Sequence, residues 1–181
     1  MSRTQHVCLM AQYNRWMNAK LYRAAATLPA AELGADRKAF FGSILGTLNH
    51  LVAGDTLWLK RFALHPAHYA ALAPLQDWPT PSSLDQMLFT TLEPLARHRH
   101  WLDDMIVAWA ETVTQADLDH TLAYTNKKGI ASERNYFSLL MHFFNHQTHH
   151  RGQVTTLLSQ AGVDVGETDL LALIPAQSPP R

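Results

Sequence analysis

Eleven of the 181 residues are histidine, and His142, His146, His149 and His150 crowd into one short stretch. Imidazole is the commonest protein metal ligand and also an ordinary surface group, so position has to separate the two roles. Around this stretch Tyr136, Leu139, Leu140, Phe143, Val154, Leu157, Leu158 and Ala161 recur with helical spacing and define a core direction. At ~100° per residue His150 lies roughly 40° from that direction and His146 roughly 80°. His142 and His149 lie roughly 120° and 140° away, nearer solvent. His146 and His150, at i and i+4, can therefore point two imidazoles at one ion. Two half-buried histidines bonded to neighbours would show the same spacing.

A third ligand has to come from another helix. His50 is the one histidine firmly inside the second helical segment. Gly46, Thr47, Ala53 and Gly54 flank it one turn away. A glycine inside a helix costs roughly 1 kcal/mol relative to alanine. Two of them imply a close approach there, by another helix or by a ligand.

Four long helices are needed to hold these side chains. The first is expected from about Thr4 to Leu28, with Val7, Met10, Met17, Leu21, Ala24 and Leu28 on one face and Pro29 as its stop. The second runs from about Phe40 to Leu64, with a stripe from Phe41 through Leu48 and Leu51 to Phe62. His50 points away from that stripe, so this helix must be covered on two sides, by a cleft or by a dimer interface. Asp55 falls within the stripe and needs a hydrogen-bond partner, such as a Trp or a backbone donor. Pro66, Pro74, Pro79 and Pro81 mark a long irregular connection. The third helix is expected to begin at Ser83, where Ser83 and Gln86 have the spacing of a capping box, and to kink or split at Pro94. Thr121–Thr125, Asn126–Gly129 and Ile130–Ala131 read as a small hairpin. The fourth helix spans about Glu133 to Ala161, with Gly162 as its C-terminal stop. The tail, residues 163–181, ends in a tip expected to be mobile. The expected fold is all-α, a single four-helix bundle with its core in about residues 4–162 and a long crossover between the second and third helices.

Composition removes several classes of function. Fifteen acidic and fifteen basic residues cancel and form no basic stripe, which argues against a duplex nucleic-acid partner. No apolar stretch approaches the ~20 residues of a membrane helix. The one cysteine, Cys8, cannot form an internal disulfide. No signal-peptide block follows the N-terminus, and the simplest expectation is a cytoplasmic protein.

Two segments carry a resemblance to a known family. Ser43-Ile44-Leu45-Gly46-Thr47-Leu48-Asn49-His50 and the run from His142 through Asn145-His146-Gln147-Thr148-His149-His150-Arg151-Gly152-Gln153 resemble the DinB-like family. Tyr13-Asn14-Arg15-Trp16-Met17-Asn18 is similar to its first helix. The resemblance covers nearly the whole chain. It implies a four-helix bundle, often a homodimer, that holds one divalent metal ion per chain on three histidines. Carried over residue by residue, these are His50, His146 and His150. His149 and Arg151 belong to the run without being ligands, and His142 is the competitor for a ligand position.

Such a set suits zinc or nickel first, with iron, cobalt or manganese as alternatives. Three protein ligands leave a position open for water or substrate. The resemblance thus implies a metal-dependent thiol transferase, or a hydrolase, acting on a small molecule. Gln153 and Asn145 could orient a ligand or a bound water. Arg151 could bind an anion, although a solvated salt bridge explains it as well. The other reading is a non-catalytic metal-binding dimer with a structural or regulatory role, related to stress or DNA damage without direct DNA contact.

Overall fold

The computed structural model describes residues 1–125 and 129–176. Among these, six α-helices form in chain order: α1 (Arg3–Ala25), α2 (Ala30–Gly34), α3 (Ile44–Phe62), α4 (Leu92–Thr112), α5 (Gln115–Asp119) and α6 (Tyr136–Gln160). Strands β1 (Thr121–Thr125) and β2 (Ala131–Asn135) pair antiparallel between α5 and α6, with Thr121 opposite Asn135. The expected hairpin is therefore present, while its turn, at 126–128, lies outside the described residues, as does the tail tip at 177–181.

Four long helices make the bundle, and side-chain contacts fix their directions. Cys8 donates to the Ala110 carbonyl, Asn18 reaches Asp103, and both contacts run α1 antiparallel to α4. His50 meets His150 while Phe62 meets Phe143 and Tyr136, so α3 and α6 are antiparallel. Asp55 pairs with Arg99 and Phe62 stacks on Trp109, so α3 and α4 run parallel. Two parallel neighbours cannot be joined by a tight turn. The chain must travel back along the bundle, and residues 63–91 do this, with a 3-10 turn at Ala70–Leu75 that buries Leu72 and Leu75. The long crossover expected from the proline-rich stretch is a consequence of this topology.

The helix starts follow side-chain chemistry. Ser2 caps α1 in a reciprocal box with Gln5, and Ser43 caps α3 by accepting from the Gly46 N–H. The expected start of the third helix at Ser83 is not observed: α4 begins at Leu92, with Thr91 at the N-cap position and without a side-chain cap bond. Gln86 instead accepts from the Ser82 backbone and hydroxyl inside the crossover. Pro94 neither kinks nor splits the helix. It sits in the first turn, where its missing N–H has no intrahelical acceptor to lose.

α3 is buried along nearly its whole length by this one chain. The two-sided cover that its sequence demands comes from α4, α6, the crossover and Phe41, so the helix does not need a second copy for it. Phe41 belongs to the loop before α3 and not to the helical stripe. The tail also packs: Tyr13 donates to the Thr168 carbonyl at 2.7 Å, and Val165 is buried.

Candidate metal centre

α3 and α6 lie antiparallel, so a residue near the start of one faces a residue near the end of the other. This brings His50 beside His146 and His150. The Nε2 atom of His50 lies 3.2 Å from that of His146 and 3.0 Å from that of His150. One ligand atom from each of the three lies within 4.8 Å of the others, and among the described residues this is the group arranged to hold an ion. Three nitrogens around a tetrahedral ion bonded at ~2.05 Å would stand ~3.3 Å apart.

Proton positions make the case for a cation. His50 Nδ1 lies 2.8 Å from the Leu84 carbonyl, which can only accept, so Nδ1 carries the proton and Nε2 presents a lone pair. His150 Nδ1 donates to Gln153 Oε1 at 2.7 Å, with the same consequence. Two lone pairs 3.0 Å apart cannot hydrogen-bond to each other. A divalent ion between them satisfies both, and the donor set therefore fits a metal. His146 completes the set with its Nδ1 buried and unpartnered, its ring lying against Gly54.

Burial lowers the pKa of His50 to about 4, and lowers that of His146 to about 3 with help from the neighbouring histidines. His150 shifts the same way, mainly through burial and against the pull of Gln153. All three are neutral ligands at pH 7.

The small residues around His50 have two separate causes. A Cβ on Gly54 would stand 3.0 Å from Cε1 of His146, so glycine there admits the ligand ring. A Cβ on Gly46 would fall 2.1 Å from the Phe41 carbonyl oxygen, so glycine there admits the loop. That loop turns through Gly42 at φ +74 and sends Phe40 outward and Phe41 inward. The Phe41 ring stacks on His50 with centroids 3.8 Å apart and touches the edge of His150. The other two histidines, His142 and His149, are exposed on α6, as their angles from the core direction imply.

Several residues play parts other than those expected. Asp55 is fully buried, but its partners are Arg99 and the Gln147 amide, not a Trp or a backbone donor. Arg151 is not a solvated surface cation. Its residue is 2 % exposed, and it bonds to Asn14 and Thr148. Arg99 also pairs with Asp103 at 2.9 Å, and Asp103 accepts from Asn14 and Asn18. Two arginines and two aspartates from α3, α4 and α6 thus balance one another beneath the centre, with Asn14 and Asn18 of α1 bonded to them. Gln153 holds His150, while Asn145 is exposed.

Asn49 escaped the sequence reading. Its side chain donates to the Phe89 carbonyl at 3.0 Å and accepts from the Phe89 N–H at 2.9 Å, fastening the crossover over α3. Its signal was an asparagine in a helix interior, where the residue is unfavourable unless its amide is used.

A four-helix bundle with an up-down-down-up course and three converging histidines defines the class of protein. The DinB family model matches residues 1–181, and the chain belongs to the DinB family. It is 26 % identical over 160 residues to Protein DinB of Bacillus subtilis (strain 168), covering 87 % of each chain. It is also 33 % identical over 93 residues to the uncharacterized protein YrdA of the same organism, covering 51 % of this chain and 48 % of that one. No solved structure matches the chain significantly.

Proposed function

We propose that this protein binds one divalent metal ion on His50, His146 and His150, and that the ion serves as an open centre for transfer or hydrolysis of a small molecule, with a thiol as the activated group. The observation that carries this reading is the pair of Nε2 lone pairs 3.0 Å apart, each fixed by a proton committed on the far side of its ring. A divalent ion held there supplies Lewis acidity, enough to ionise a thiol or a water near neutral pH.

The chain's own residues do the rest. Leu84 and Gln153 hold two of the rings in orientation. Phe41 covers one side of His50 and keeps water from it. Among the described residues no carboxylate joins the histidine group, and Asp55 is taken up by Arg99 and Gln147. The centre therefore offers nitrogen ligands alone and leaves its activated group to arrive with the substrate. Zinc and nickel suit this set first.

The reading includes a homodimer. Phe40 is 87 % exposed, and Leu84 and Met87 are exposed on the neighbouring crossover, a surface that a second copy would cover.

The test is metal analysis of protein purified without added nickel, followed by titration of the cobalt-loaded protein with small thiols. A sulfur-to-cobalt absorption band supports the open centre. A protein that takes up one ion yet never responds to a thiol or to water exchange supports the structural alternative.

A further inference from the structure

We propose that Arg61 and His142 form an oxyanion subsite beside the metal centre, so that the molecule handled there carries a carboxylate or phosphate several bonds from the atom that reaches the ion. This rests on the open-centre reading above.

At ~100° per residue Arg61 falls within roughly 20° of His50 on α3, three turns further on. Gly54 and Trp58 lie between them on the same strip. On α6 the antiparallel course sets His150, His146 and His142 alongside. The strip is continuous: His142 lies 6.1 Å from His146 between ring centroids and 5.0 Å from Trp58. The Arg61 guanidinium lies 4.6 Å over the Trp58 ring and 5.1 Å from that of Tyr124 on β1.

Arg61 differs from the chain's other half-buried or buried arginines. Arg3, Arg37 and Arg99 each face a carboxylate, and Arg151 bonds to Asn14. Arg61 pairs with no carboxylate among the described residues. Burial lowers its pKa, and the neighbour that opposes this is Tyr124, not an acid. A half-desolvated cation without a counter-ion is costly to keep. The two aromatic faces offset part of that cost and fix the plane of the guanidinium, which leaves its N–H edge to meet a planar anion. His142 adds an exposed imidazole against the same Trp58 ring.

The bland alternative is a staple in which Arg61 merely ties the hairpin to α3. Two independent readouts separate the possibilities. Cobalt-loaded protein is titrated with 3-mercaptopropionate and with its methyl ester, following the cobalt absorption and the Nε–H resonance of Arg61 by NMR. The proposal expects the acid to bind on the order of tenfold tighter than the ester and to shift the Arg61 resonance. Arg61→Met should abolish that preference while leaving ester binding intact, which also shows that the variant is folded. Arg61→Lys should restore part of it. Equal binding of acid and ester, with an unmoved Arg61 resonance, overturns the subsite and leaves the metal reading standing. A shifted Arg61 resonance with an unchanged cobalt spectrum leaves an anion contact apart from the ion, and overturns both the bridging subsite and the thiol-activating centre. No response in either readout overturns both.

Discussion

The Asn49 side chain and the Phe89 backbone exchange two hydrogen bonds, one in each direction. The next residue in the chain, His50, takes the Leu84 carbonyl from the same crossover. Adjacent positions on α3 thus tie one segment down and use it to aim a metal-binding ring.

Asn49→Ala should therefore affect the centre without removing a ligand. It leaves the Phe89 N–H and carbonyl unpaired, at a cost of about 1–3 kcal/mol. Loss of the anchor loosens the carbonyl that orients His50, and such partners typically govern 10–100-fold in metal affinity. A metal-competition titration should show about tenfold weaker binding alongside a lowered melting temperature. Full affinity in a destabilised variant would separate the crossover from the centre.

Asp55→Ala should be among the most damaging single changes. It removes one of the two carboxylates that face the buried Arg99 and leaves Asp103 as the other, so the loss should fall at the lower end of the about 3–5 kcal/mol that breaking a buried pair costs. Asp55→Ala combined with Arg99→Met should recover part of that loss in urea denaturation, because one charge of each sign is then removed from the network, although Asp103 keeps only its Asn14 and Asn18 contacts. A double variant no better than the single one would show that the network does not act through this pair.

The sequence made some of this legible and left some of it hidden, for identifiable reasons. His146 and His150 could be placed because one helix carries both, and the angle between them and the core is simple arithmetic. Gly46 and Gly54 correctly announced close approaches, although one proved to be a ligand ring and the other a loop carbonyl. Ser83 and Gln86 have capping-box spacing, but a spacing acts only where the backbone between is helical, and here the crossover claims Gln86. Arg151 looked like a surface charge because the groups that surround it, Asn14 and Tyr13 on α1 and the more distant carboxylates Asp55 on α3 and Asp103 on α4, lie far away in sequence. Phe41 read as one more stripe residue, since nothing local shows that Gly42 turns the chain just after it.

Acid should compete with metal later than for ordinary histidines. Free imidazole titrates near ~6.5, whereas burial holds His50 near 4 and His146 near 3. Protons displace the ion only where they bind the folded ligands. His150 is lowered by burial as well, so metal affinity measured by equilibrium dialysis should persist below the pH at which free imidazole takes up its proton and fall only in more acid solution. A steep decline between pH 7.5 and 6 would mean that the ligands titrate as if exposed.

The same lowering acts on stability. His98, buried against Trp78, is also held near 4, by burial and then by Arg99. Between about 4 and 6.5 the unfolded chain binds the proton that folded His98 refuses. Its contribution is fully present above about pH 6.5 and is lost as pH falls through that window. Asp103, raised to about 6 by burial against the opposing pull of Arg99, works in the other direction. The His98 part is isolated by comparing metal-free wild type with His98→Phe. The difference in unfolding free energy should change by about 1.4 kcal/mol per pH unit across the window. A pH-independent difference would show that folded His98 titrates normally.

His50, His146 and His150, and not their exposed neighbours, are proposed to hold one divalent ion. The most direct measurement is metal stoichiometry after equilibrium dialysis of wild type, His146→Ala and His149→Ala at pH 7.5. One ion per chain is expected in wild type and in His149→Ala, and sharply less in His146→Ala. An empty His149→Ala protein beside a fully loaded His146→Ala protein would contradict it.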